Sequence, residues 1–293
     1  MIGRYTSLMR KLPPRLGRFC KWVLVYPRFW AQKRKAKTGF AEYGAQYQHP
    51  ILFVAGMPKS GSTWLEQMLA SYPGYQEILL PEATFAELRG IDGHLFELPK
   101  GSLERFKQCL VLTKMHCPGT LGNVAELRAA NIPYAILYRD PRDVAVSYYF
   151  YARSTPWHDD FSVLKNKSPQ EGISYFISKR LPEFAVWMRS WRDNRDHDSS
   201  VMLSYEEMLK DPEEVLGSVF EIFGLNADPK LLADIVAKNR FDSKRGAGNE
   251  GSFFRKGEAK DWMNHFDGEL KAEFKAAGGE LLIEFGYEID LDW

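Results

Sequence analysis

The segment 51-ILFVAGMPKSGSTWLEQML-69 restricts the fold of this chain more than any other stretch. A short apolar run ends at Gly56, which is typical of a buried strand, and apolar residues then recur at helical spacing from Leu65 onward. The loop between them is rich in glycine and serine, so its backbone N–H groups can face one anion at the positive end of the helix. The pattern predicts a phosphate-binding turn between a strand and a helix.

The lysine of this loop is in an unusual position. Gly56 and Gly61 have the separation of the Walker phosphate loop, but a serine and a threonine follow Gly61 where that loop has its lysine. Here the lysine is Lys59, which can project a mobile charge over whatever group leaves or arrives at the phosphate. Taken alone, such a loop could also be an ordinary turn with a helix cap.

Strand and helix signals alternate along the rest of the chain. Further strands are predicted at 109–112, 134–138 and 201–204, and helices at 144–152, 182–193, 212–223, 229–238 and 269–285. Such alternation predicts an α/β fold with three α/β/α layers, a central parallel sheet and ligands at the carboxyl ends of the strands. We expect a single domain over residues 48–293, preceded by an N-terminal arm over residues 1–47.

The N-terminal arm is strongly basic. Residues 1–41 contain eleven Lys or Arg and no Asp or Glu, and because the whole chain has a net charge of +1, the rest carries −10. Its aromatic stretch, 19-FCKWVLVYPRFW-30, is interrupted by charges and Pro27 and is too short to span a bilayer. No small-residue cleavage site follows the apolar stretch, so a signal peptide is poorly supported.

Two interpretations of the arm stay open. It can be a solvated segment whose aromatic residues pack on the domain. Alternatively, residues 1–37 can make peripheral contact with an anionic membrane through Lys and Arg, with Trp22, Phe29 and Trp30 at the headgroups. Nucleic acid is not an expected partner, because no basic and aromatic stripe continues into the body. Three cysteines without metal-ligand spacing predict free thiols and a cytoplasmic location.

Two further segments carry cations where an anion could bind. In 134-YAILYRDPRDVAVSYYFYARS-154 a strand runs into Arg139, and the following helix carries Ser147 on its second turn. In 253-FFRKGEAKDWMNHF-266 two cations directly precede Gly257, which allows close backbone approach to an anion. Together with the loop, they predict a ligand with more than one phosphate-like group.

The candidate base is His116, in 111-VLTKMHCPG-119. It follows a predicted strand, and Lys114 points to the same side if the extended geometry persists. A hydroxyl acceptor is a poor nucleophile until it loses its proton, and imidazole is well matched to take that proton near neutral pH.

These segments carry a family resemblance. PKSGSTWL resembles the 5′-phosphosulfate motif of sulfotransferases, YRDPRDVAVSYY resembles their 3′-phosphate motif, and FFRKGEAKDWMNHF is similar to their C-terminal RKG signature. The three motifs follow in the family's order over about residues 48–268. The resemblance implies 3′-phosphoadenosine 5′-phosphosulfate (PAPS) as donor, no metal, and in-line transfer of a sulfuryl group to a small-molecule hydroxyl acceptor.

The resemblance also implies roles for individual residues. Those expected to hold the 5′-phosphate are Lys59, Ser60, Gly61, Ser62 and Thr63. Trp64 is expected to stack on the adenine. Those expected at the 3′-phosphate are Arg139, Ser147, Arg255, Lys256 and Gly257, with Tyr205 and Phe241 beside the adenine. The catalytic residues would be His116 as base, Lys59 and Lys114 at the leaving oxygen, and Ser147, which would bias the position of Lys59.

The chain departs from the family pattern in two places. The family has a glycine where this chain has Lys260. The dimer motif of cytosolic members loses all four of its specifying positions, which here are Met263, Asp267, Gly268 and Ala272. We therefore expect a monomer, or a dimer formed by another surface.

Other functions and acceptors stay open at this point. A kinase-like P-loop NTPase is disfavoured, because the Walker lysine and a strand ending in a magnesium-binding aspartate are missing. A membrane-associated protein could keep the nucleotide site without chemistry, although the retained Lys59, Lys114 and His116 argue against it. Aromatic content slightly favours an alcohol or phenol as acceptor over a sugar or a peptide-linked tyrosine.

Overall fold

The central sheet fixes where every candidate residue lies. A computed structural model describes residues 14–89, 95–156, 158–240 and 257–293 of the chain. Its five strands are β1 (Ile51–Gly56), β2 (Gln76–Glu77), β3 (Val111–Met115), β4 (Tyr134–Tyr138) and β5 (Ser200–Ser204). All neighbouring strands pair in parallel in the order β2-β3-β1-β4-β5. The predicted three-layer α/β fold is thereby confirmed.

Helices cover both faces of this sheet. Those before β4 are α1 (Pro14–Tyr43), α2 (Ser62–Leu69), α3 (Pro81–Leu88) and α4 (Leu121–Ala129). Those between β4 and β5 are α5 (Pro141–Ser154), α6 (Phe161–Leu164), α7 (Pro169–Lys179) and α8 (Leu181–Asn194). After β5 come α9 (Tyr205–Lys210), α10 (Pro212–Ile222), α11 (Pro229–Lys238) and α12 (Gly268–Glu284).

The alternation of side chains along β1 divides the core into two layers. Phe53 is buried with residues of α5, α7, α8 and α12, whereas Leu52 and Val54 are buried with residues of α2, α10 and α11. Successive side chains of a strand point to opposite faces, so a strand buried on both sides is apolar throughout. This explains why β1 has no polar residue at any of its positions.

The β3 strand begins and ends later than predicted. The sequence pattern placed it at 109–112, because polar residues follow Leu112, but pairing with β1 continues through Thr113 and Lys114 to Met115. Thr113 is completely buried opposite Phe53. The extension carries the strand to its carboxyl end directly before His116.

The basic arm contains a helix of 30 residues, α1. Its inner face packs on the domain, where Phe29 and Ala36 belong to the core beneath the sheet. The interpretation that aromatic residues of the arm pack on the domain is therefore right for Phe29, but Trp22 and Trp30 are exposed. No helix in the described part of the chain has the length and apolar character needed to cross a membrane.

All three cysteines are free, as predicted. Cys109 and Cys117 are buried, and Cys20 is half-buried. Burial raises the pKa of the Cys117 thiol to about 12, which keeps it protonated and unreactive at neutral pH.

Candidate active site

The phosphate loop connects β1 to α2 with two residues in the left-handed region. Lys59 has φ 68° and Gly61 has φ 81°. A Cβ atom at Gly61 would lie 2.5 Å from the Tyr205 ring, so only glycine fits there. The Ser60 hydroxyl is buried and donates to the Met57 carbonyl at 2.6 Å, which fixes the turn from inside. The loop is thus shaped by its own hydrogen bonds and by Tyr205.

Two candidate catalytic side chains reach this loop from the end of β3. Lys114 Nζ lies 3.1 Å from the Thr63 hydroxyl and 3.2 Å from the carboxylate of Glu66 on α2. His116 Nδ1 lies 2.5 Å from the carbonyl oxygen of Gly56. Because a carbonyl can only accept, Nδ1 must carry the proton and donate, and in the neutral imidazole the lone pair is then on Nε2.

Arg139 joins three segments that are distant in the sequence. Its guanidinium donates to the Lys59 carbonyl at 3.4 Å, to Asp143 at 3.3 Å and to the Glu258 carbonyl at 2.9 Å. It also lies 4.3 Å above the Tyr205 ring. Its Nε is buried and has no hydrogen-bond partner among the described residues. A buried cationic donor in this state suits an anionic ligand.

Asp143 holds the C-terminal segment against α5. Its side chain is fully buried and accepts from the backbone N–H groups of Lys260 at 2.8 Å and Trp262 at 2.9 Å, in addition to Arg139. Gly257 and Lys260 both have positive φ, 71° and 64°. The second and third motifs of the sequence therefore meet through one carboxylate.

The Lys59 ammonium lies over an aromatic ring of α5. Its Nζ is 4.2 Å from the centroid of the Tyr151 ring, a cation–π contact. Ser147 is half-buried one turn earlier on the same helix. No local sequence pattern predicts this contact, because it depends on how α5 packs against the loop.

The two candidate adenine residues next to the loop are buried. The Trp64 indole donates to the Asn239 carbonyl at 2.9 Å, and Tyr205 packs on Gly61 at the start of α9. Burial also raises the pKa of the Tyr205 hydroxyl. Their predicted contacts with adenine stay predictions.

The comparisons with known proteins agree with the motifs. Residues 49–286 match the sequence model of the sulfotransferase domain family. The chain belongs to this family. The predicted family and enzyme class are thereby confirmed.

Among relatives in the family, rat sulfotransferase 2B1 is 24% identical over an alignment of 256 residues that covers 77% of this chain and 69% of that protein. Zebrafish sulfotransferase 6B1 is 27% identical over 172 residues, and the alignment spans 53% of this chain and 55% of the relative. The crystal structure of mouse sulfotransferase SULT7A1 complexed with 3′-phosphoadenosine 5′-phosphate (PAP) has a TM-score of 0.62 at 17% identity. It covers 85% of this chain and 91% of the mouse chain. At this identity the likeness concerns the fold.

The structure brings most of the predicted site residues to one edge of the sheet. Those assembled there are Lys59, Ser60, Gly61, Ser62, Thr63, Lys114, His116, Arg139, Tyr205 and Gly257. Phe241, Arg255 and Lys256 lie outside the described residues. Within the described ranges, no three His, Cys, Asp or Glu side chains form a group that could hold a metal ion.

Sequence reasoning missed two carboxylates of this edge, Glu66 and Asp143. Asp143 had a local signal, since it stands four residues after Arg139 at the start of a predicted helix, where opposite charges meet. Glu66 had no local signal, because its partner Lys114 lies on β3, far from α2 in the sequence.

Proposed function

We propose that this sulfotransferase moves a sulfuryl group from PAPS to the hydroxyl of a small alcohol or phenol, with His116 as the general base. The observation that carries the proposal is the orientation of His116 at the phosphate loop. Its Nδ1 is committed to the Gly56 carbonyl, so the nitrogen able to accept a proton is Nε2. Free thiols favour a reducing compartment, and we propose the cytoplasm.

The residues at this edge suit a nucleotide with two phosphate positions. The loop and the N-terminus of α2 would hold the 5′-phosphate, and Arg139, with its buried Nε, would hold the 3′-phosphate together with Ser147 and the Gly257 backbone. Arg255 and Lys256 would add charge there, and Trp64, Tyr205 and Phe241 would flank the adenine. PAPS, when bound, supplies the sulfuryl group.

The charged side chains divide the work of the reaction. His116 takes the acceptor proton at Nε2, while Lys59 neutralises the negative charge that grows on the leaving oxygen. To do so, Lys59 leaves its position over Tyr151, and Ser147 biases this movement. Lys114 stabilises this negative charge less than a lysine without an ion pair would, because the Glu66 carboxylate 3.2 Å away offsets part of its field.

The named ligands of structural neighbours support this proposal. SULT7A1 was crystallised with PAP, and retinol dehydratase with PAP and either androsterone or retinol. The retinol complex has a TM-score of 0.57 and 19% identity to this chain over 80% of its length. Both small molecules are hydrophobic alcohols, which favours an acceptor of that class here.

The cofactor is tested by calorimetric titration with PAP beside ATP and adenosine 5′-phosphosulfate, each with and without EDTA. We expect tight binding that requires the 3′-phosphate and does not change with EDTA. A preference for ATP with magnesium would instead identify a kinase-like NTPase.

The base is tested by His116→Ala, assayed for transfer from labelled PAPS to a panel of alcohols and phenols. We expect a rate about 10²- to 10⁴-fold lower, with PAP affinity nearly unchanged, because the imidazole acts on the acceptor proton. The matched control is His197→Ala, which removes an exposed imidazole after α8 and should leave the rate unchanged. Full activity of His116→Ala would remove His116 from its role.

A further inference from the structure

The outer face of α1 exposes a continuous row of large apolar side chains. The exposed fractions are 46% for Leu16, 59% for Phe19, 57% for Trp22, 45% for Val23, 52% for Tyr26 and 59% for Trp30. Residues three and four apart lie on the same side of a helix, so these six form one stripe, which we call the aromatic stripe. Scattered exposed apolar residues are ordinary on protein surfaces, but a stripe of this length marks a binding surface.

The opposite face of α1 holds the helix on the domain, so the stripe stays outside. Phe29 is buried, and the centroid of its ring lies 6.1 Å from that of the Phe106 ring. The Ala36 carbonyl accepts from Leu110 N–H at 3.0 Å, and Lys21 pairs with Glu87 of α3 at 2.6 Å. Lys21 and Phe29 lie between residues of the stripe along the chain, and Ala36 lies beyond it, so the helix has one docked face and one exposed face.

The charge of the arm indicates the partner. Arg34 and Lys37 continue the line of the aromatic stripe toward the C-terminus of α1, and both are exposed. The first 41 residues carry eleven cations and no carboxylate, in a chain whose net charge is only +1. The surface thus combines apolar and aromatic residues with an adjoining positive charge.

We propose that α1 lies in the plane of an anionic lipid bilayer, with the aromatic stripe at the level of the headgroups. Tryptophan and tyrosine favour this interface because each has an apolar ring and a polar atom, and lysine and arginine bind anionic headgroups. A second copy of the chain is a less suitable occupant, because pairing two such helices would bring their cations together without counter-charge. The proposal does not depend on the reaction at the nucleotide site.

The test is co-sedimentation of the full chain with phosphatidylcholine vesicles that contain about one third phosphatidylserine, with pure phosphatidylcholine as comparison. We expect binding to the anionic vesicles that weakens as salt rises, because salt screens the surface potential. No binding to the anionic vesicles at low salt would overturn the proposal.

Two double variants on α1 and one control variant on α8 test whether α1 makes the vesicle contact. Trp22→Ser with Trp30→Ser should weaken vesicle binding at least about tenfold, and Arg34→Gln with Lys37→Gln about thirtyfold. The matched control is Val186→Ser on α8, which removes an apolar side chain that is 65% exposed and should bind as the parent does. All three should keep the melting temperature of the parent, because the side chains they change are exposed.

Two results would assign the surface differently. Unchanged vesicle binding in both double variants would exclude α1 as the membrane surface. A dimer in sedimentation velocity that Trp22→Ser with Trp30→Ser converts to a monomer would show that a second copy covers the stripe.

Discussion

Two arginine–carboxylate pairs beside α5 use the same chemical groups in different ways: Arg139–Asp143 is buried, whereas in Arg180–Asp160 the arginine is half-buried. Arg180 donates to Asp160 through Nε at 2.8 Å and Nη2 at 2.7 Å, and to Glu183 through Nη1 at 3.2 Å. Asp160 also accepts from the hydroxyls of Tyr148 and Tyr175. Arg139 pairs with Asp143, but it spends its other bonds on the carbonyls of two loops and keeps a buried Nε without a partner in the described ranges.

The difference shows which pair is structural and which is suited to a ligand. Each of the three nitrogens of Arg180 donates to a carboxylate, Nε and Nη2 to Asp160 and Nη1 to Glu183. In the described part of the chain, by contrast, the buried Nε of Arg139 has no hydrogen-bond partner, and it lies at the edge of the sheet where the phosphate loop begins. A guanidinium that is left partly unsatisfied in a buried position is costly unless a ligand completes its bonds.

The largest effect on stability is expected from Arg180→Met. It leaves the Asp160 carboxylate buried without its cation, and we expect the free energy of unfolding to fall by about 3 kcal/mol in denaturant titrations. Adding Asp160→Asn should recover part of the loss, because no unpaired charge then remains. PAP affinity should be unchanged in both variants, and a large loss would mean that this pair also serves the ligand.

The same pair predicts an acid-sensitive contribution. Burial acts to raise the pKa of Asp160, but hydrogen bonds from Arg180 and Tyr148 outweigh it, and the pKa falls below its ordinary value of 3.8. The pair therefore stabilises the fold above about pH 4 and loses this contribution as the pH falls through the lowered pKa. The difference in stability between the parent and Arg180→Met should shrink accordingly on acidification.

Arg139→Met is expected to have a smaller effect, which concerns the affinity for PAP. We expect the PAP dissociation constant to rise about 30- to 100-fold in calorimetry, because the variant loses the charged hydrogen bonds that we propose between Arg139 and the 3′-phosphate. Adenosine 5′-monophosphate, which lacks that phosphate, is the control ligand and should lose much less. Equal losses for the two nucleotides would contradict the assignment of Arg139 to the 3′-phosphate.

Local sequence patterns predicted the strands, helices and loop that carry the residues of the Arg139 site. Strand 134–138 and helix 229–238 have the predicted limits, because the apolar run and the Asp-Pro cap that define them are local features. The spacing of the glycines and the position of Lys59 likewise predicted the phosphate loop. Arg139 was predicted from its place at the end of a strand.

Contacts between distant segments could not be predicted in this way. Lys114 and Thr63 are 51 positions apart, and Arg139 and Glu258 are 119 apart. Nothing local says which side chains meet after packing. The arm was not identified as one long helix, because apolar residues lie on both of its faces and Pro27 interrupts the pattern.

Glu206 supplies a second carboxyl group close to Arg139. Its carboxylate accepts from Asp140 N–H at 3.2 Å and from the Tyr287 hydroxyl at 3.0 Å. Burial raises its pKa from 4.5 to about 6, although the charge of Arg139 partly opposes this. A carboxyl with a raised folded-state pKa destabilises the fold as the pH rises from 4.5 to 6, and the cost stays constant above that.

Glu206→Gln should therefore gain stability relative to the parent between pH 4.5 and 6, by about 1 to 2 kcal/mol. The measurement is the unfolding free energy of both proteins across this range. Glu221→Gln, which changes an exposed carboxylate on α10, should give no such pH-dependent difference. A flat difference for Glu206→Gln would show that its carboxyl titrates normally.

The smallest expected effect on stability comes from backbone strain in residues that bond to the Arg139–Asp143 pair. Lys59 and Lys260 have left-handed φ values of 68° and 64°, and each bonds through its backbone to the Arg139 pair. The left-handed region costs conformational energy in a residue with a Cβ, and such strain is common at functional sites. Lys260→Gly should therefore raise the free energy of unfolding by up to about 1 kcal/mol.

Lys260→Ala separates the two causes, because it removes the ammonium and keeps the strain. If left-handed strain is responsible, the alanine variant should be no more stable than the parent, and only the glycine variant should gain in thermal or denaturant unfolding. Equal gains in both variants would instead assign the effect to the lysine charge. In that case, strain at Lys260 would not distinguish the Arg139 pair from the Arg180 pair, and the Arg139 Nε, which has no partner among the described residues, would be the remaining difference.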